Sequence, residues 1–255
     1  MLKAMYLSAN AALSQAERYD ILANNLANAN TVGFKPQRPQ FREVLAEAVT
    51  REYGESAVEA LAGSTLAGAG DVMTPGIIEY TDNAYDLALT DEGFFTVERD
   101  GKFYFTRAGN FREGPEGYLT TADGSCRLLL KNGVPVVVGN ADFQVDNTGL
   151  VVLVDAEGNR QPLGYLWIVK PRQNNYAILT RRGNNLWSAP MSAMERVDTP
   201  GVAQGAIEKS VVSAVEEMTS LISAMRAYEA AMRFVRIQDE ALGLAATELA
   251  RPLGA

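Results

Sequence analysis

Residues 211–242 read VVSAVEEMTSLISAMRAYEAAMRFVRIQDEAL, and their spacing decides the architecture. Apolar side chains recur at alternating steps of three and four, at Val211, Ala214, Met218, Leu221, Met225, Tyr228, Met232 and Val235; the series runs on through Asp239 to Leu242. A 3.5-residue period keeps one stripe of a helix turned toward a partner helix. No Gly or Pro interrupts the chain between Gly205 and Gly243, so a helix of about 30 residues is predicted. Such a helix is roughly 45 Å long. Val215, Ile222, Phe234 and Ile237 lie off the seam, and a helix that is apolar on several faces is ordinarily covered on several faces.

A second striped segment lies at the other end of the chain. Leu2, Met5, Ala9, Ala12, Ala16, Tyr19, Ala23 and Leu26 share the three-four spacing and predict a helix over 3–29. Its many alanines favour helix and let a neighbouring backbone come close. Asn28, Asn30 and Gly33 are candidate C-cap residues, and Pro36 stops the helix. From Lys35 to about Pro75 the periodicity dissolves. Residues 41–61 could form one or two helical turns, and AGSTLAGAG at 62–70 reads as a flexible linker.

Between Gly76 and Pro200 the pattern is that of β structure. Strand-like runs are GFFTVER (93–99), KFYFTR (102–107), GVPVVV (133–138), LVVLVD (150–155) and YLWIVK (165–170). Asp100-Gly101 between the first two predicts a type I′ hairpin. Phe94, Phe95, Phe103, Phe105, Phe111, Trp167 and Trp187 are its expected core. The predicted fold is α+β. The amino-terminal helix (1–34) and the carboxy-terminal helix (205–255) pair like a coiled coil, and an extended arm (35–75) joins them to an antiparallel all-β domain (76–204).

Composition narrows the function. Net charge is −8 over 255 residues, which makes a nucleic-acid backbone a poor partner. Residues 1–52 carry six basic and five acidic side chains and residues 206–255 five and seven, so the middle holds most of the negative charge. Near-neutral ends around a charged body suit termini that pack against protein. There is no histidine, and Cys126 is the one cysteine. His-based triads, imidazole metal sites and paired-cysteine chemistry are therefore unavailable; Cys126 is expected to be a small buried apolar residue. No run of about 18 apolar residues suggests membrane insertion, and the amino terminus turns polar too early for a cleaved signal peptide. The carboxylate pairs Glu216-Glu217 and Asp239-Glu240 point about 100° apart on a helix and do not converge. No phosphate-binding, nucleophile-elbow or metal-ligand spacing is present. Catalytic residues, cofactors and metals are all expected to be none.

Several blocks carry a family resemblance. ILANNLANANTVGFK (21–35) closely resembles the amino-terminal motif of bacterial flagellar axial proteins, the rod, hook and hook-associated group, with Asn24, Asn25, Leu26, Ala27, Asn28, Thr31, Gly33, Phe34 and Lys35 in the motif positions. Asp86-Leu87-Ala88 with Gly93-Phe94-Phe95, then FTRAGNF (105–111) with Gly117-Tyr118-Leu119, resembles the opening of the rod proteins' β domain. QGAIEKS (204–210), VEEM (215–218) and RAYE (226–229) resemble their carboxy-terminal signature. Val211 and Asp91 depart from the usual pattern, which has Asn and Gly there. Chain length, with a single β domain, resembles the rod proteins rather than the larger hook protein. Within the rod, the ending YEAAMRFVRIQDEALGLAATEL (228–249) is more similar to proximal than to distal members, the distal rod protein being the alternative.

The resemblance implies a part rather than a catalyst. Proteins of this group are exported unfolded through the flagellar type III apparatus, without a cleaved signal. They polymerise helically with copies of themselves, other rod subunits and hook-side axial proteins, as the torque-transmitting shaft that crosses the periplasm. Subunit-interface positions expected on that basis are Leu2, Met5, Ala9, Ala12, Ala16, Tyr19 and Leu26 at one end. At the other they are Val211, Met218, Leu221, Met225, Tyr228, Met232 and Val235. The competing readings are a secreted β-domain binding module held together by a coiled coil, and an enzyme that works with carboxylates alone.

Overall fold

The computed structural model describes residues 2–44, 63–139, 141–155 and 157–249; the side chains of 2–7, 41–44, 63–67 and 245–249 lie outside that description. Among the described residues, two long helices bracket eighteen strands in chain order. Helix α1 spans Leu2–Ala27 and α2 spans Ala214–Leu249. Strands β1 (Gln37–Val44) and β2 (Gly63–Asp71) follow α1, then β3 (Ile78–Tyr80) and β4 (Leu87–Leu89). The main sheet uses β5 (Phe94–Arg99), β6 (Lys102–Thr106), β7 (Arg112–Glu113), β8 (Leu119–Thr120) and β9 (Arg127–Leu128). Next come β10 (Asp142–Val145), β11 (Leu150–Val154) and β12 (Arg160–Tyr165), a three-stranded meander. The main sheet is completed by β13 (Ile168–Pro171), β14 (Thr180–Arg181), β15 (Leu186–Ser188) and β16 (Met194–Arg196). Last are β17 (Val202–Gln204), paired with β4, and β18 (Ala206–Glu208), paired with β3.

The chain divides into two compact units. One holds residues 1–27, 37–70 and 213–255; the other holds 28–36 and 71–212. This partition differs from simple succession along the chain, because 28–36 belongs with the β unit while 37–70 belongs with the helical unit; β17 and β18, which pair with β4 and β3, lie in the β unit.

In the helical unit α1 and α2 pack against each other. Ser8 accepts a hydrogen bond from Gln238 (3.4 Å), and Asn25 lies beside Glu217, so the two helices run antiparallel. The face of α2 turned inward comprises Ala214, Glu217, Leu221, Ala224, Ala231, Val235, Gln238 and Leu242, all wholly or partly covered. It keeps the three-four period but shares only alternate positions with the predicted seam. Ala224 is fully buried, whereas Met218 and Met225 stay about half exposed. Small side chains at 224 and 231 let α1 approach, and the larger methionines are displaced to the flank. Of the linker expected at 62–70, residue 62 lies outside the described residues and the rest is strand β2, paired with β1; backbone pairing needs no side-chain bulk, so a run of Ala, Gly and Ser can enter a ladder. Residues 41–44 belong to β1, and the helical turns expected over the rest of 41–61 lie outside the described residues.

In the β unit, β5 is the central strand. It pairs with β6 along one edge; along the other, Phe94 and Phe95 pair with β13 while Val97 and Glu98 pair with β9. Its side chains alternate between two cores, which is why GFFTV reads as an unbroken apolar run. Phe95 and Val97 join Leu87, Phe111, Leu128 and Ile168 on one face. Phe94 joins Phe105, Trp167, Val169 and Trp187 on the other. The hairpin at Asp100-Gly101 has φ of 52° and 73°, as a type I′ turn requires. Two expectations fail. Residues 133–138 make only isolated bridges, at Pro135 and Val137; Gly133 at φ +81° and Pro135 break the ladder. Phe103 is 41% exposed because it lies at the hairpin end of β6; it shares a face with buried Phe105 and sits at the rim of that core, its ring 5.2 Å from that of Trp167.

The turn between β8 and β9 is organised by Asp123. It accepts hydrogen bonds from the Thr121 hydroxyl (2.5 Å), the Ser125 N–H (3.1 Å) and hydroxyl (2.7 Å), and the Asn184 amide (3.0 Å). Burial alone raises this carboxyl's pKa, but the four donors outweigh it and hold the pKa at about 2, against 3.8 for a free aspartate. A depressed folded pKa contributes stability that is present above the unfolded value and lost as pH falls through the folded one. Thermal melts should therefore show Asp123→Asn less stable than the parent at pH 5, with the gap closing between pH 3.8 and about 2.

Candidate functional site

The motif loop 28–36, NANTVGFKP, is folded into the β unit by contacts along its second half, from Val32 to Pro36. Locally, Thr31 caps the turn: its N–H donates to the Asn28 carbonyl and its hydroxyl to the Asn28 side chain, both at 3.1 Å. The Phe34 N–H donates back to the Thr31 carbonyl. Gly33 sits at φ +65° and donates its N–H to the Glu208 carbonyl at 2.7 Å. The Asn185 amide donates to the Val32 carbonyl at 2.8 Å, the Arg181 guanidinium donates to the Lys35 carbonyl, and the Val72 N–H donates to the Pro36 carbonyl at 2.9 Å. Phe34 is buried with Arg181 over its ring, and Arg181 is itself held by Asp71 at 2.7 Å.

Beneath the loop lies a three-charge cluster. The side chains of Lys35, Arg107 and Glu208 are each no more than 4% exposed. Glu208 Oε1 accepts from Lys35 Nζ and from the Gly76 N–H (2.7 Å), and Oε2 accepts from Arg107 Nη1 (3.2 Å). Lys35 Nζ also donates to the Thr74 carbonyl (2.7 Å) and Arg107 Nη2 to the Asp91 carbonyl (2.9 Å). Two cations share one carboxylate in a dry site. Burial, opposed by Glu208 and assisted by Arg107, holds the Lys35 pKa below its ordinary 10.5. Such clusters contribute little net stability over an apolar replacement, but losing one member leaves a stranded charge. Glu208 ties the loop down through both its backbone and its side chain, and Arg107 is held with it. The chemistry here is anchorage: the carboxylate, the ammonium and the guanidinium are each bonded to other parts of the same unit.

The rest of the motif serves the helical unit. Asn25, 1% exposed, donates its amide to the Gln37 carbonyl (2.8 Å) and accepts from the Gln37 N–H (2.9 Å). One side chain thus closes the path from the last turn of α1 to the first residue of β1. Asn24 and Ala27 face solvent. The predicted interface positions separate in the structure. Ala12 is buried, and Ala16, Leu26, Leu221, Met232 and Val235 are partly covered. Ala9, Tyr19, Met218, Met225 and Tyr228 face outward. Val211 belongs to the β unit, and the side chains of Leu2 and Met5 lie outside the described residues. Val215, Met218, Ile222 and Met225, at steps of three and four, form an exposed apolar stripe on the first half of α2, and Phe234 and Ile237 form another on the second half.

Sequence reasoning placed Lys35, Arg107 and Glu208 in three separate blocks without joining them. One signal was present. In β18 the alternation of Ala206, Ile207 and Glu208 puts the glutamate, not the isoleucine, on the face with Ala206, and a charge on a buried strand face requires a partner.

Three stretches match family profiles. Residues 5–35 match one described as flagella basal body rod protein, 88–159 the flagellar hook protein FlgE/F/G D1 domain, and 203–248 the flagellar basal body rod FlgEFG protein C-terminal region. Among curated proteins, the flagellar basal-body rod protein FlgF of Caulobacter vibrioides is 30% identical over 238 residues, 91% of each chain. The flagellar basal-body rod protein FlgG of Bacillus subtilis is 28% identical over 95% of this chain and 97% of its own. The FlgG of Caulobacter vibrioides is 29% identical over 94% and 97%.

Proposed function

The chain belongs to the flagellar basal-body rod protein family, and on that premise we propose that it is a structural subunit of the rod, with no catalytic role. It polymerises helically through α1 and α2, coiled-coil fashion, with its own copies and with other rod and hook-side subunits. The shaft so formed crosses the periplasm and transmits torque. It reaches that place through the flagellar type III apparatus, and its ending assigns it to the proximal segment. The observation that carries this reading is the surface of α2, where Val215, Met218, Ile222, Met225, Phe234 and Ile237 are each at least half exposed. Six large apolar side chains on one helix exceed the scattered exposure normal for a lone soluble molecule. Contacts made head to tail by such faces build an open filament when the rotation does not close.

The test keeps the whole β unit and removes α2 by ending the chain after Val212. Trp167 and Trp187 lie within the β core, so their fluorescence should report a cooperative folded unit. The shortened chain should nevertheless be missing from isolated basal bodies that contain the full-length protein. Its recovery in the rod at normal level would overturn the proposal. A discrete closed oligomer of the full-length chain, absent from basal bodies, would favour the secreted binding module instead.

A further inference from the structure

The second half of α2 carries a shallow outer groove of ≈ 420 Å³, lined by Arg226, Glu229, Ala230, Arg233, Phe234 and Ile237. Phe234 and Ile237 are 59% and 60% exposed. Neither arginine forms an ion pair with a carboxylate among the described residues. The groove is therefore apolar at one end and cationic along its length, tempered by Glu229, which sits one turn before Arg233.

On α1 the outward stripe has the opposite character. Leu13, Glu17 and Asp20 follow one another at steps of four and three, so they share one face, and all are exposed, Leu13 at 59%. Taken backwards along α2, Ile237, Arg233 and Ala230 are spaced by the same four and three, with Arg226 one turn further on. An antiparallel docking places Leu13 over Phe234 and Ile237, Glu17 against Arg233, and Asp20 between Arg233 and Arg226. The two surfaces cannot meet within one molecule, because α1 and α2 already face each other through Ala12, Leu22 and Ala224, and both stripes point away from that seam.

We propose that the Leu13–Glu17–Asp20 face of α1 in one copy seats in the Arg226–Ile237 groove of α2 in a neighbouring copy. The contact rests on the rod reading and gives it a specific partner surface: a second copy of this chain, recognised by charge as well as by apolar burial. It is heterologous, since each copy offers one face and one groove, so it propagates.

The test uses full-length chains in isolated basal bodies. Cys126 is buried, so introduced thiols can be read cleanly. Chains carrying Leu13→Cys are co-produced with chains carrying Ile237→Cys and oxidised; a cross-linked dimer is expected. The pair Leu13→Cys with Val215→Cys should give none, because Val215 is on the other exposed stripe. Separately, Glu17→Lys with Asp20→Lys, and Arg226→Glu with Arg233→Glu, should each lower incorporation about tenfold or more, and co-production of the two should restore it, since alternating copies recover opposite charges. Basal bodies that contain the cysteine chains but yield no 13–237 dimer, or charge-reversed chains that incorporate normally, would overturn this contact while leaving the rod reading intact. Absence of the unmodified chain from basal bodies would remove the rod reading and this contact with it.

Discussion

Glu208→Gln destabilises the β unit by about 3–5 kcal/mol, because it leaves Lys35 and Arg107 buried together without a counter-charge. Glutamine fills the same space and still accepts a hydrogen bond, so the loss is electrostatic rather than a cavity. The effect also depends on pH in a defined direction. Burial holds the folded Lys35 pKa below 10.5, so between that lowered value and 10.5 the unfolded chain binds more protons than the folded one. Stability therefore rises with pH across this window, and the cost of burying the ammonium is fully present below it. Removing Glu208 takes away the group that supports the charged lysine and moves the folded pKa lower still. Urea unfolding followed by tryptophan fluorescence should show the deficit at full size at pH 7 and smaller at pH 10. A deficit under about 1 kcal/mol at pH 7, the scale of an exposed ion pair, would mean that the cluster does not anchor the loop.

Gly33→Ala is expected to cost about 4 kcal/mol, combining left-handed strain of about 1 kcal/mol with partial release of the charged cluster. A Cβ at this position would fall 2.6 Å from the Ala108 nitrogen and closer still to the Arg107 carbonyl. Both obstacles are backbone, so no rotamer change relieves the overlap. The loop must lift, which breaks the Gly33 bond to Glu208 and draws Lys35 away from it. Gly101→Ala is the matched control. Gly101 also has positive φ, +73°, but a Cβ there meets nothing within 4 Å, so only the conformational strain of about 1 kcal/mol applies. Equal urea midpoints for the two variants would refute the close-packing account. Gly33→Ala should also be depleted from basal bodies, since the loop directly follows α1 in the chain.

Much of the fold was legible beforehand, and for identifiable reasons. The two helices declared themselves by uninterrupted three-four spacing, and the β5–β6 hairpin by aromatic alternation around Asp100-Gly101. Local periodicity reports which residues share a face. It does not report which of two adjacent faces a neighbour will cover. On α2 the seam passed to Ala224 and Ala231, leaving Met218 and Met225 outside, because closeness of approach is a property of two helices and not of one. The small-residue run at 62–70 gave no side-chain pattern at all, so the pairing of β2 with β1 could be seen only in space.

What the sequence by itself determined is the family, the two striped ends, the central β domain and the absence of histidine or paired-cysteine chemistry. These follow from identity, order and period along one dimension. Only the tertiary structure decided that Lys35, Arg107 and Glu208 form one buried cluster, and that loop 28–36 belongs to the β unit. Those residues lie up to 173 positions apart, and each charge becomes intelligible only when water is excluded from all three together.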